Sequence, residues 1–94
     1  MAVVWHDKLV RDNIPELIAA QGKTPVVVAL SDADYKVRLQ KKLLEETQEY
    51  LSSGEADELA DILEVVYALS EEQRVAPEEL ETIRMKKREE RGGF

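Results

Sequence analysis

A chain of 94 residues with a formal net charge of −7 makes one domain and a poor general ligand for nucleic acid, since that affinity rests on Lys and Arg neutralising phosphates. Hydrophobic residues at 44% beside charged residues at 35% exclude a disordered chain and suit helices with one apolar face each. The lack of cysteine excludes disulfides and thiolate metal sites, while a surplus of acids suits divalent cations. The opening MAVVWHDKLVRD lacks the basic flank and apolar run of a secretory signal, and no stretch approaches the roughly 20 apolar residues of a membrane span. A cytoplasmic protein without membrane contact is therefore expected.

In chain order, residues 1–12 read as an extended or irregular arm. Residues 14–21 read as a short helix, with Asn13 as cap, Pro15 in the first turn and Gly22 at the end. The β-branched run 25–30 predicts one short strand, whose partner is either the amino-terminal arm at Val3 and Val4 or another subunit. Ser31 then caps a long helix to about Leu51, with Asp34 in the position of a capping-box acid. Ser52, Ser53 and Gly54 break it, a second long helix covers 56–70, residues 71–76 form a loop, and Pro77 opens a last helix to Arg91. The expected fold class is all-α: a helical bundle built on the antiparallel hairpin of 31–51 and 56–70, with one short amino-terminal strand, assembling as an oligomer. The whole chain is one domain, divided into an arm, short helix and strand (1–30), a metal-binding hairpin (31–70) and a carboxy-terminal helix (77–91).

Two acid spacings carry the chemistry. The first long helix holds Glu45-Glu46-x-x-Glu49 and the second Glu58-x-x-Asp61. Residues three apart on a helix are neighbours, so each spacing sets two carboxylates side by side. With Glu46 at zero on a helical wheel, Leu39, Tyr50 and Leu43 fall at roughly 20, 40 and 60° and Tyr35 at roughly 340°. Glu46 thus lies inside the apolar stripe, with Glu49 on its border at roughly 300° and Glu45 near 260°. With Glu58 at zero, Leu69, Ile62 and Val66 fall at roughly 20, 40 and 80°, and Asp61 again on the border near 300°. The short connection makes the two helices antiparallel neighbours, so the packing faces meet and four carboxylates converge. Any one acid among the chain's 20 is ordinarily a solvated surface charge. Buried, unpaired and converging, these four require a positive partner, and Lys42, near 320° on the first wheel, is a single charge. Oxygen ligands alone point to a hard cation, Mg²⁺ or Mn²⁺, rather than zinc.

The pattern Glu45-Glu46-x-x-Glu49 followed by Glu58-x-x-Asp61 resembles the EExxE…ExxD motif of the MazG-like all-alpha nucleoside triphosphate pyrophosphohydrolases. That superfamily includes phosphoribosyl-ATP pyrophosphohydrolases and dimeric dUTPases. The segments Lys8-Leu9-Val10-Arg11-Asp12, Ile14-Pro15-Glu16, Lys42-Leu43-x-Glu45-Glu46, Glu58 to Val65 and Arg91-Gly92-Gly93-Phe94 extend the likeness to a house-cleaning subgroup over nearly the whole chain. The resemblance implies that Glu46, Glu49, Glu58 and Asp61 bind Mg²⁺, that Glu45, Glu46 and Glu49 are catalytic, and that Glu45 acts beside the metal or on a second one. The chain departs from the pattern in one respect: only eight residues separate Glu49 from Glu58, a tighter hairpin than is usual in the superfamily.

The reaction implied is hydrolysis of a nucleoside triphosphate, non-standard in a house-cleaning enzyme, to the monophosphate and pyrophosphate. The metal would clamp phosphate oxygens and activate water. Lys8, Arg11, Lys42, Arg88 and Arg91 are the candidates to bind the phosphates, with Lys86 and Lys87 beside the last two; their ordinary reading is as solvated charges or helix-end cations. His6 reads as structural or exposed, and Trp5 as packing. Leu44, Leu51, Val37, Leu59 and Leu63 offer more apolar surface than one short helix covers, which predicts a homodimer or higher homo-oligomer. Two alternatives stand beside the house-cleaning hydrolase: a phosphoribosyl-ATP pyrophosphohydrolase of histidine biosynthesis, and a non-catalytic helical dimerisation module that retains the metal site.

Overall fold

In the computed structural model, which describes residues 1–94, the β-branched residues near the amino terminus pair among themselves. Strand β1 (Ala2–Trp5) runs antiparallel to β2 (Lys8–Val10), with Val3 opposite Val10 and Val4 opposite Leu9. His6 and Asp7 join them with φ of 53° and 59°. Two successive residues at positive φ make the tight turn whose twist matches a hairpin. The chain then forms α1 (Ile14–Ala20) and returns as β3 (Val26–Val28) on the other edge of β1, with Val3 opposite Val27 and Val4 opposite Val26. The result is a three-stranded antiparallel sheet in the order β2-β1-β3.

This corrects the expected all-α bundle with a single strand. The molecule is mostly helical, with four helices, but it also carries a three-stranded sheet. The arm over 1–12, read as extended or irregular, is extended and holds two of the three strands. The strand expected from the β-branched run does pair with Val3 and Val4, and it does so within one chain.

Helix α2 (Asp32–Ser53) begins where the Ser31 hydroxyl accepts from the Asp34 N–H at 3.2 Å. That satisfies one of the free amides of a helix start. The helix passes through Ser52 and Ser53 and stops at Gly54, whose φ of 68° is a left-handed helix end and whose N–H donates to the Tyr50 carbonyl at 2.7 Å. Helix α3 (Ala56–Glu72) turns back along it, and α4 (Pro77–Arg91) follows. Leu9 of β2, Leu39 of α2 and Val65 of α3 meet in the centre, flanked by Ala2, Tyr35, Leu43, Ala68 and Leu69. The sheet therefore docks its β2 edge onto the helix hairpin, and this docking brings the amino-terminal cations to the acids of α2 and α3.

The core is thin. Six hydrophobic residues are buried, and none of α4 is. The radius of gyration is 15.5 Å, against about 12 Å for a compact domain of this length. No helix is long and apolar enough to cross a membrane.

Candidate metal centre

Glu46 occupies a packing position of α2 and is 6% exposed. Its Oε1 lies 3.1 Å from the Lys42 ammonium one turn earlier. Its Oε2 is buried without any hydrogen-bond partner. A buried acceptor left unpaired costs about 1–3 kcal/mol or more when charged, so the environment resists ionisation. Burial raises the Glu46 pKa above the ordinary carboxylate value; Lys42 opposes that rise and the nearby Glu49 carboxylate adds to it.

Across the helix seam stand the half-buried Glu58 and Asp61 of α3. One carboxylate oxygen from each of Glu46, Glu58 and Asp61 lies within 4.8 Å of the others. In an octahedral Mg²⁺ site with bonds near 2.1 Å, ligand oxygens sit about 3.0 Å apart when adjacent and about 4.2 Å when opposite. The trio is within a small side-chain adjustment of that spacing. These three carboxylates form a cluster that could hold a metal ion, and Glu46 brings to it a carboxylate with one unpartnered oxygen.

Glu49, one turn beyond Glu46, stays exposed and lies outside the trio, near enough to influence Glu46. Glu45 is half-buried and shared by two cations, Lys8 at 3.2 Å and Lys42 at 3.6 Å. Arg11, just past β2, pairs with Asp61. Three of the expected phosphate-binding residues, Lys8, Arg11 and Lys42, therefore converge on the acids. Arg88 and Arg91 are exposed on α4 and pair with none of them. Asp61 already holds the Arg11 guanidinium, itself half-exposed, so a cation at the trio would compete with Arg11 for that carboxylate.

Arg38 is absent from the sequence expectation. Its guanidinium donates to the Asp7 carbonyl at 3.1 Å and to the Asp7 carboxylate at 3.3 Å, tying the β1–β2 turn to α2. The signal for it was its place four residues before Lys42, on the row that leads to Glu45 and Glu46. His6 and Trp5 contact one another edge-to-face, with ring centres 4.6 Å apart, and His6 takes no part in the acid cluster.

No known family model matches the chain, and no solved structure matches it. An uncharacterized protein of Mycolicibacterium smegmatis (strain ATCC 700084 / mc(2)155) is 50% identical over 50 residues, which is 53% of this chain and 51% of that protein. The chain thus spans about half the length of the curated relative it matches.

Proposed function

We propose that the protein is a Mg²⁺-dependent nucleotide pyrophosphohydrolase of the MazG-like kind, cleaving a non-standard nucleoside triphosphate to its monophosphate and pyrophosphate. The observation that carries this reading is Glu46: an acid in a packing face, with one oxygen unpartnered, facing two acids of the next helix. A merely structural position would hold a leucine there at lower cost. The oxygen-only donor set favours Mg²⁺, with Mn²⁺ as substitute. Glu46, Glu58 and Asp61 hold the metal, and Glu49 adds a carboxylate at the solvent edge. Bound there, Mg²⁺ supplies Lewis acidity toward phosphate oxygens and the attacking water. Lys42 and Lys8 neutralise and orient the phosphates, and Arg11, once displaced from Asp61, stands ready to do the same. Glu45 holds both lysines in place. A cytoplasmic, reducing compartment fits a chain that has no disulfide to form.

The reading includes a homo-oligomer. Leu44 and Leu51 on α2 are 61% and 76% exposed, and Leu59 and Leu63 expose half their surface on α3. Exposed leucines on both helices beside a thin core suit a second copy in a two-fold pair. Leu44→Glu together with Leu63→Glu is expected to halve the mass seen in sedimentation; a wild type that already sediments as a monomer removes this part.

The deciding experiment is pyrophosphate release from a panel of standard and damaged nucleoside triphosphates and phosphoribosyl-ATP, with Mg²⁺ or with chelator. Chelator-sensitive release from a triphosphate supports the proposal. Release from phosphoribosyl-ATP alone moves the protein to histidine biosynthesis. A folded, Mg²⁺-binding protein that releases nothing is the non-catalytic module instead.

A further inference from the structure

An open cleft of about 510 Å³ lies beside the acid cluster, between one face of α2 and the β1–β2 turn. Its volume is that of a small-molecule site. Its lining changes character along α2. At one end is Glu45, which shares Lys42 with Glu46 and so joins the cleft to the acid cluster. About 6 Å further along the helix axis comes Lys41. It is exposed and pairs with no acid, so its charge is available to a ligand. Arg38 forms a fixed wall, because Asp7 already engages it. At about 12 Å from Glu45 the lining becomes apolar, with Val37 and Leu30. Asp34 closes this far end; its backbone N–H is used by Ser31, and its carboxylate has no partner.

The order is acids, then cations, then an apolar wall with one free acceptor. A ligand complementary to that order is anionic at the end near the acids, where a cation held by Glu46, Glu58 and Asp61 would offset the like charges, and less charged at the other. In a chain of net charge −7, unpaired Lys41 is a local reversal of sign that an anion would seek. We infer that this cleft binds the substrate lengthwise, with the phosphate chain over Lys42 and Lys41 and the base and sugar against Val37 and Leu30. Asp34 accepts a hydrogen bond from a ring N–H or a sugar hydroxyl. This inference rests on the metal-dependent reading of the cluster and adds to it the direction of the nucleotide and the residues that grip its organic half.

The test compares two ligands on three proteins by titration calorimetry in Mg²⁺. The ligands are inorganic tripolyphosphate and the α,β-methylene analogues of a panel of standard and damaged nucleoside triphosphates. Val37 and Lys41 are both exposed, so Val37→Trp and Lys41→Glu leave the fold intact, which circular dichroism checks. Lys41→Glu is expected to weaken both ligand types by about tenfold or more. Val37→Trp is expected to weaken the nucleotide analogues alone by a similar factor, leaving tripolyphosphate within about twofold. A wild type that binds no analogue overturns the inference. So does a Val37→Trp protein whose analogue affinity is unchanged, or falls in step with that for tripolyphosphate. Mg²⁺ titrated alone separates this from the reading beneath it. Mg²⁺ binding with unaltered nucleotide affinity in both variants removes the cleft and spares the metal centre. The expected pattern without Mg²⁺ binding removes the metal centre and leaves a nucleotide site.

Discussion

Helix α4 and the α2–α3 seam are both rich in charge and use it in opposite ways. In α4 every side chain from Glu81 onward is exposed, and the one ion pair formed joins Glu81 to Arg84, three residues apart on the same helix. In the seam, the pairs Lys8–Glu45 and Arg11–Asp61 join residues 37 and 50 apart in sequence. Water solvates an exposed charge at no structural expense, and an exposed pair contributes little. The seam differs in its acids: Glu46 is buried and Glu45, Glu58 and Asp61 are half-buried, so they lose part of that water and need partners brought by the fold. Lys8 and Arg11, which reach them, stay as exposed as Arg84. Acids alone therefore say little: Glu46 and Glu72 each bury an oxygen without a partner, and only Glu46 has two further carboxylates beside it.

The largest effect expected is at the seam. Glu58→Gln removes a charged oxygen proposed to hold the metal from a position that is only half-buried, so the fold should survive. Mg²⁺-dependent turnover should fall by more than about 100-fold, since even the outer partners of metal ligands are worth 10- to 100-fold. Undiminished Mg²⁺-dependent pyrophosphate release from Glu58→Gln would sink the site assignment.

Melting should respond next. Free Mg²⁺ at 100 times its dissociation constant stabilises the folded state by about 2.7 kcal/mol through linkage, which in a domain of this size is about 10 °C or more. The pH dependence has a definite sign. Burial holds the Glu46 pKa above its unfolded value, so between the two the folded chain binds the extra proton. Without metal, the stability from that proton is full below the unfolded pKa and is lost as pH rises through the folded one. Mg²⁺ requires the deprotonated form, so the Mg²⁺-induced rise in melting temperature should shrink as pH falls through the same window. Glu46→Gln should melt higher than wild type without metal at neutral pH and gain nothing from Mg²⁺. A wild-type melting temperature indifferent to millimolar Mg²⁺ would defeat the converging-acid account.

A smaller effect is expected from Arg11→Ala. Arg11 pairs with Asp61, one of the proposed metal ligands, so its loss should tighten Mg²⁺ binding by about twofold to fivefold, the worth of a partly exposed pair. The same substitution should weaken nucleotide binding, because the displaced guanidinium is proposed to meet phosphate. Calorimetry reads both; weaker Mg²⁺ binding in Arg11→Ala would mean that Arg11 organises the site rather than competing for it.

The seam acids were legible in the sequence because a helix repeats every 3.6 residues. Glu46 and Glu58 fall among apolar residues on any wheel, and Ser31, Gly54 and Pro77 mark the helix limits. The sheet was less legible. Strands of four, three and three residues are too short to display alternation, and His6-Asp7 lacks the Asn-Gly or Asp-Gly signature of a tight hairpin. Missing the hairpin hid the placement of Lys8 and Arg11, which reach their acids only because β2 docks on α2. Glu49 shows the limit of the wheel itself. A position near 300° is a border, and whether a border residue is covered depends on the neighbouring helix, which no periodicity specifies.

The smallest expected effect tests the contrast from its other side. Glu81 has a lowered pKa, caused by its hydrogen bond to Arg84, and by that measure resembles a functional acid as much as Glu46 does. Its shift comes from a partner on its own helix, in full contact with water, whereas that of Glu46 comes from burial. Glu81→Ala and Arg84→Ala should therefore leave Mg²⁺ affinity, turnover and melting temperature where they are in wild type, by the same assays that register Glu58→Gln. A change in Mg²⁺ affinity in either variant would mean that α4 reaches the metal centre, in this chain or from a second copy. The division between solvated and seam charges would then have to be redrawn around the assembled oligomer.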